Sequence, residues 1–189
     1  MSVKKRIAER RTIRKFSQNK IPEDLLVSYI ELAGLAPSGA NLQPLKYVLI
    51  QSAELTNAVF EYVKWAGYLN GAHTPLDDER PVAYIAIMHD KNISSTMTEF
   101  DAGAAAMSII LAAEEDGIGC CIMGAIDREN ICRIMKTPEN LNLMYILALG
   151  YKKEHPVCTE MLDGNVKYYL SNGIITVPKR KISDILTKI

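Results

Sequence analysis

The chain has few of the features that assign a protein to a metal, a membrane or an export route. Its four cysteines form no Cys-x-x-Cys pair, and no cysteine–histidine group has zinc-ligand spacing. Free, buried thiols in a reducing cytoplasm are therefore expected. The N-terminus has no apolar run typical of a signal peptide. The longest apolar stretch, residues 102–113, is too short to span a bilayer, so no membrane association is predicted.

The chain also lacks a net charge and a glycine-rich dinucleotide-binding motif. Lysines plus arginines and aspartates plus glutamates each number 22, so the formal net charge is zero and does not favour a nucleic-acid partner. No Gly-x-Gly-x-x-Gly follows a strand pattern, which leaves no Rossmann site for NAD(P)H. His73, His89 and His155 stand alone and are interpreted as surface or loop residues. Asp77-Asp78-Glu79 is interpreted as an exposed loop, not a metal site.

What the chain does contain predicts one α+β domain over residues 1–189. A hydrophobic content of 48% is enough for a substantial core. Apolar residues recur at helical spacing between residues 25 and 36, and Ser52 is expected to cap a helix from Ala53 to Tyr68. Helices alternate with four or five strand-like runs. The remaining expected elements are strands over 46–51, 82–88, 120–123 and 144–149, a helix over 128–135, and a hairpin around Ser171-Asn172-Gly173.

The segment Glu99 to Asp116 predicts a helix with almost no polar face. A helix that is apolar all round must be buried all round. In so small a domain, that burial is easier if a second subunit covers one side. The pattern therefore favours a homodimer.

A basic segment near the N-terminus is the first candidate for a binding site. In an extended chain, Arg10, Thr12 and Arg14 would point to the same side. Guanidinium groups and a hydroxyl are suited to binding a phosphate through charge-assisted hydrogen bonds. Lys179 and Arg180 form a second basic cluster, which could join them if the fold brings both ends together. The alternative is an exposed basic strand with no ligand.

The loop from Pro37 to Pro44 is the second candidate. Proline and glycine restrict or free its backbone, and Ser38, Asn41 and Gln43 offer polar groups. Such a loop could lie flat against a planar ligand and meet its edges with hydrogen bonds. The alternative is an ordinary connection between a helix and a strand.

Together, these segments resemble the signature of the nitroreductase family. An Arg-x-Thr-x-Arg run at Arg10–Arg14 precedes Pro-Ser-x-x-Asn-x-Gln-Pro at Pro37–Pro44. Residues 101–124 are similar to that family's central helix and following strand, and residues 177–180 to its C-terminal phosphate clamp. Leu45 stands at the position where a tryptophan often follows Gln-Pro in that family. Residues 65–73 have no clear counterpart, although Asn70 is a candidate flavin contact.

The resemblance implies a nitroreductase-like fold, in which an antiparallel or mixed central sheet is flanked by helices within a domain-interlocked homodimer. It also implies two FMN sites at the subunit interface. Arg10 and Thr12 would hold the phosphate with Lys179 or Arg180, and Arg14 would face the pyrimidine edge of the flavin. Arg11 would also belong to the cofactor site. Pro37, Ser38 and Gly39 would come from the partner subunit, Asn41 and Gln43 would support that loop, and Met123 and Gly124 would lie at the N5 edge.

The function that this resemblance implies is an FMN-dependent oxidoreductase. NAD(P)H would reduce the flavin, and an electron-poor acceptor such as a nitroaromatic or quinone would then be reduced in a ping-pong mechanism. No catalytic side chain is expected because the flavin carries the chemistry. The alternatives are enone reduction, flavin reduction or reductive dehalogenation on the same fold, a flavin-storage protein with little turnover, or an interaction module that binds no FMN.

Overall fold

The computed structural model describes residues 2–189, and a four-stranded antiparallel sheet lies at its centre. Its strands are β1 (Leu45–Ile50), β2 (Ala83–Asp90), β3 (Ile118–Met123) and β4 (Leu141–Tyr151). Their spatial order is β1-β2-β4-β3, so β1 and β3 form the two edges. The expected α+β architecture, with helices flanking an antiparallel sheet, is confirmed.

Helices cover both faces of this sheet. They are α1 (Val3–Glu9), α2 (Glu23–Gly34), α3 (Ala53–Phe60), α4 (Thr98–Glu115) and α5 (Arg128–Met135). Side chains alternate between the faces along a strand. In β2, Ile85 and Ile87 pack with α2 and α4, whereas Tyr84, Ala86 and Met88 pack with α3 and α5. Both faces are thus buried, which explains the continuous apolar run of this strand.

A second, three-stranded sheet lies near the C-terminus. It contains β5 (Val157–Glu160), β6 (Tyr169–Ser171) and β7 (Ile174–Lys179) in the order β5-β7-β6. The expected hairpin is present between β6 and β7, and Asn172 and Gly173 both have positive φ angles, 49° and 78°. These values suit the tight two-residue turn that Asn-Gly favours. The sequence had not indicated β5, whose four residues are all exposed and show no burial pattern.

The helix expected over residues 53–68 is shorter than predicted. Ser52 caps its start as expected, but α3 ends at Phe60. The following residues pair with the segment after β3: the Lys64 amide donates to the Ala125 carbonyl, and the Tyr62 carbonyl accepts from the Asp127 amide. This pairing requires an extended chain, so long-range hydrogen bonds override the helical pattern.

Helix α4 is only partly buried by its own chain. Asp101, Ala105 and Ile109 face the core, whereas Phe100 and Met107 are 55% and 37% exposed. One chain therefore leaves a face of this helix uncovered, and its burial by a second subunit stays a prediction. The residues at its open face are 100, 103 and 107, at the spacing of one helical stripe. None of the helices within residues 2–189 combines the length and apolar character needed to cross a membrane.

Candidate functional site

The N-terminal basic segment lies along the β3 edge of the central sheet. Thr12 forms a parallel bridge with Cys120, and the Ile13 amide donates to the Cys120 carbonyl over 3.1 Å. Ile13 points inward against Gly119, where an added Cβ would lie 2.7 Å from the Ile13 side chain. The segment is therefore extended, as expected. Its alternation places Arg10, Thr12 and Arg14 on the side opposite Ile13.

Arg10 is a half-buried cation without a described partner. Its Nε atom is buried and makes no hydrogen bond, and no ion pair involves Arg10 within residues 2–189. A buried donor without an acceptor is costly, so an anion would be stabilised here. The neighbouring Arg11 differs, because its guanidinium donates to the Ala8 and Arg10 carbonyls and to Cys158 Sγ.

Arg14 lines a cavity of about 140 Å³ at the end of β3, together with Trp65, Tyr168 and residues 121–125. Its guanidinium carbon lies 4.8 Å from the centre of the Tyr168 ring. The Trp65 indole Nε1 is also buried without a hydrogen-bond partner. The cavity thus combines a cation with aromatic rings, which fits a planar ligand with polar edges.

The backbone of Arg14 is held by the buried side chain of Glu154, which also contacts His73. Glu154 Oε1 accepts from the Arg14 and Lys15 amides over 2.5 and 3.2 Å, and Glu154 Oε2 lies 2.6 Å from His73 Nε2. His73 lies in a turn, as expected for a loop residue, but it is only 6% exposed and is therefore not a surface residue. Nothing in the sequence near His73 indicates this contact, because Glu154 is far along the chain.

Met123 and Gly124 form one wall of the Arg14 cavity. Met123 is buried as the last residue of β3, and Gly124 follows it against the Tyr145 ring. The two adjacent cysteines of the same strand are free thiols. Burial raises the pKa of Cys121 to about 11, although the Arg14 guanidinium opposes the shift, and burial raises the pKa of Cys120 well above its usual value. Both thiols are therefore protonated at neutral pH and are not nucleophiles.

Within the second candidate segment, Pro37 to Pro44, loop 37–43 is held by hydrogen bonds to Asp101 of α4 and by hydrogen bonds between its own residues. The Ser38 hydroxyl donates to Asp101 Oδ2 over 2.7 Å, and the Gly39 amide donates to Asp101 Oδ1 over 2.9 Å. The Gln43 amide in turn donates to Ser38 Oγ, and the Gln43 side chain donates to Asn41. Asp101 lies in the first turn of a helix, and nothing in the sequence around it indicates this role.

One chain does not bring its two candidate segments together. Arg10–Arg14 runs beside β3, whereas loop 37–43 directly precedes β1 at the opposite edge of the sheet. Three strand spacings separate these edges, which is about 14 Å. Either segment alone therefore offers only part of the predicted set of contacts.

The C-terminal cluster, in contrast, approaches the N-terminal segment. Arg11 contacts Cys158 in β5, and Cys158 pairs with Val177 in β7. Lys179 ends β7 two residues later, and Arg180 follows it. Both side chains are exposed, and neither has an ion-pair partner within the described part of the chain. Both ends of the chain therefore contribute positive charge on the same side of the molecule.

The fold and this cationic edge define an α+β protein suited to an anionic, planar ligand, and comparison with known proteins specifies the class. The model described as "Nitroreductase family" matches residues 7–151. The chain belongs to the nitroreductase family.

Individual relatives agree with this assignment. A Methanothermobacter thermautotrophicus protein, provisionally named an NADH dehydrogenase/NAD(P)H nitroreductase, is 27% identical and covers 86% of this chain and 84% of its own. An FMN-dependent nitroreductase structure from Clostridium difficile R20291 has a TM-score of 0.65 at 26% identity, over 79% and 87% of the two chains. An iodotyrosine deiodinase bound to FMN and 3-iodo-L-tyrosine has a TM-score of 0.70 at 21% identity, over 90% and 100%. The chain thus has the nitroreductase fold, and its relatives support an oxidoreductase.

Proposed function

We propose that this protein is an FMN-dependent oxidoreductase that uses NAD(P)H to reduce small, electron-poor acceptors such as nitroaromatics or quinones. The observation that carries the proposal is the cationic β3 edge, where Arg10 is half-buried without a partner and Arg14 lines a cavity with aromatic walls. These residues fit FMN, which combines a phosphate with a planar ring. The FMN-dependent relative adds independent support.

The proposed roles follow from position. Arg10 and Thr12, with Lys179 or Arg180, bind the phosphate, and Arg11 supports the segment through its carbonyl contacts. Arg14 lies at the pyrimidine edge and stabilises negative charge there. Met123 and Gly124 form the wall beside the reactive edge of the ring. When bound, FMN supplies the hydride chemistry, and the chain supplies position and charge.

A homodimer completes the proposed site. Loop 37–43 is about three strand spacings from the β3 edge within one chain, so Pro37, Ser38 and Gly39 meet the ligand from the partner subunit. The uncovered stripe of α4 around Phe100 and Met107 supplies apolar surface for the interface. Asn41 and Gln43 support the loop, since the Gln43 amide closes it onto Ser38.

The test starts from the absorption spectrum of the purified protein after incubation with FMN. A flavin spectrum that is bleached anaerobically by NADH or NADPH supports an enzyme. Initial rates measured at several fixed acceptor concentrations should then give parallel double-reciprocal lines, because the two substrates use one space in turn. Intersecting lines would contradict the shared space, and protein that stays colourless with FMN would overturn the proposal.

A second candidate function is reductive dehalogenation of a halogenated aromatic substrate. The specific observation in its favour is the likeness to iodotyrosine deiodinase, both in structure and in a Thermotoga neapolitana relative that is 24% identical. Steady-state assays with 3-iodo-L-tyrosine and a nitroaromatic, under the same reductant, separate the two candidates. Slow turnover of both substrates by the flavin-loaded protein would instead favour storage.

A further inference from the structure

Asp101 is a buried carboxylate in the first turn of α4 that is bonded to loop 37–43. Only 2% of the residue is exposed, and no cation pairs with it within residues 2–189. Both of its oxygens accept hydrogen bonds from the loop, from the Ser38 hydroxyl and the Gly39 amide. A buried charge without a cation is costly. An apolar side chain would pack here without that cost, so packing alone does not explain the carboxylate.

The loop that Asp101 holds has an unfavourable backbone. Ala40, Asn41 and Gln43 have φ angles of 48°, 55° and 51°, in the left-handed region that residues with a Cβ rarely adopt. Such conformations persist where surrounding contacts impose them, and they cluster at binding sites. Here the contacts form a single chain of hydrogen bonds, from the Gln43 amide to Ser38 Oγ and from the Ser38 hydroxyl to Asp101.

Helix α4, which carries Asp101, provides a rigid support for loop 37–43. An added Cβ at Gly39 would lie 2.5 Å from the Met97 Cβ, so the loop touches the start of α4. The positive end of the helix dipole also favours a carboxylate in the first turn. Helix α4 packs in the core through Ala105 and Ile109 and is therefore a rigid support.

We infer that Asp101 is a positioning residue that fixes loop 37–43 in the shape in which it meets the flavin ring of the partner's site. The inference rests on the proposed function and adds a residue to it. Asp101 itself does not touch the ligand. It acts through Ser38 and Gly39, which it holds against the strain of the three residues that follow.

Two substitutions break the same link from opposite sides. Asp101→Asn is nearly isosteric, but it removes the charge and leaves one acceptor oxygen where Asp101 accepts from both the Ser38 hydroxyl and the Gly39 amide. Ser38→Ala removes the hydroxyl. Each variant should weaken FMN and riboflavin by the same factor, roughly 5- to 50-fold, because the loop meets the ring and not the phosphate. The double variant should bind flavin no more weakly than the weaker-binding of the two single variants, because all three variants lose the same contact between Ser38 and residue 101.

The experiment titrates the apo form of the full chain with FMN and with riboflavin, and measures urea unfolding of each variant. Asp116→Asn is the matched control: it lies just past the other end of the same helix, where Asp116 accepts from the Tyr29 hydroxyl over 2.9 Å. Its amide oxygen can still accept from the Tyr29 hydroxyl, so stability should change little and both flavin affinities should stay unchanged. Should Asp101→Asn fail to fold, Ser38→Ala alone gives the equal-loss comparison.

Several results would overturn the inference. A stability loss with unchanged affinities would make Asp101 purely structural. A larger loss of affinity for FMN than for riboflavin would indicate that the loop contacts the phosphate and not the ring. Additive losses of affinity in the double variant would mean that the two residues act separately. Wild-type protein that binds neither flavin would overturn the proposed function, and this inference with it. Normal binding by the wild type and by Asp101→Asn would overturn the inference alone.

Discussion

Replacing Arg10 with alanine should weaken FMN far more than riboflavin. The structure gives the reason: the Arg10 Nε is buried without a partner beside Cys120, so this part of the guanidinium is desolvated before a ligand arrives. A hydrogen bond to a charged group contributes about 1.5–3 kcal/mol. The FMN dissociation constant should therefore rise roughly 10- to 150-fold. Riboflavin lacks the phosphate, so its dissociation constant should change by less than about 3-fold.

The assay is fluorescence titration of the apo protein with each flavin, at low and moderate salt. Lys4→Ala is the control, because it removes one positive charge from the same end of the chain at an exposed position of α1. It should change both affinities little, and less still at moderate salt, where exposed charges are screened. Equal losses for FMN and riboflavin in Arg10→Ala would refute the phosphate role. If Lys4→Ala weakened FMN binding as much as Arg10→Ala does, Arg10 would act only through long-range electrostatic attraction.

Two further predictions concern assembly and redox behaviour. Met107→Glu places a charge on the uncovered stripe of α4. It should convert the dimer into a folded monomer in sedimentation at low micromolar concentration, because a buried charge would oppose association. A wild-type protein that is monomeric when loaded with flavin would contradict the dimer. Arg14→Ala should lower the reduction potential of bound FMN, because the negative charge gained on reduction loses its nearest cation, and an unchanged potential in the fully loaded variant would leave Arg14 a binding role only.

Local signals in the sequence predicted most of the central fold. Ser2, Ser52 and Asp127 each accept a hydrogen bond from the first turn of a helix, and these caps depend on residues three positions apart. The Asn172-Gly173 turn is equally local. The predictions failed where distant segments decide the conformation, as for residues 62–64, which were expected to be helical but pair with the chain after β3.

The candidate site also contains one part that depends on local sequence and another that depends on distant residues. The alternation of Arg10, Thr12 and Arg14 depends on an extended chain and could be anticipated. The supporting carboxylates could not: Asp101 reaches Ser38 across 63 residues and Glu154 reaches Arg14 across 140. At both positions, the sequence resembles an ordinary helix start or surface loop. Only the packed sheet and helices bring the carboxylates to their partners.

The separation of the two segments within one chain leads to a prediction about mixed dimers. One subunit carries Arg10→Ala, and the other carries Gly39→Val, whose side chain would collide with Met97 and displace the loop. If each site combines the β3 edge of one subunit with loop 37–43 of the other, the mixed dimer contains one site with both defects and one with none. It should bind one FMN per dimer with wild-type affinity, although both variant homodimers bind weakly. If each site lay within one chain, both sites of the mixed dimer would carry a defect. Titration of tagged, purified mixed dimers distinguishes the two arrangements, and the absence of a wild-type-affinity site would reject the shared site.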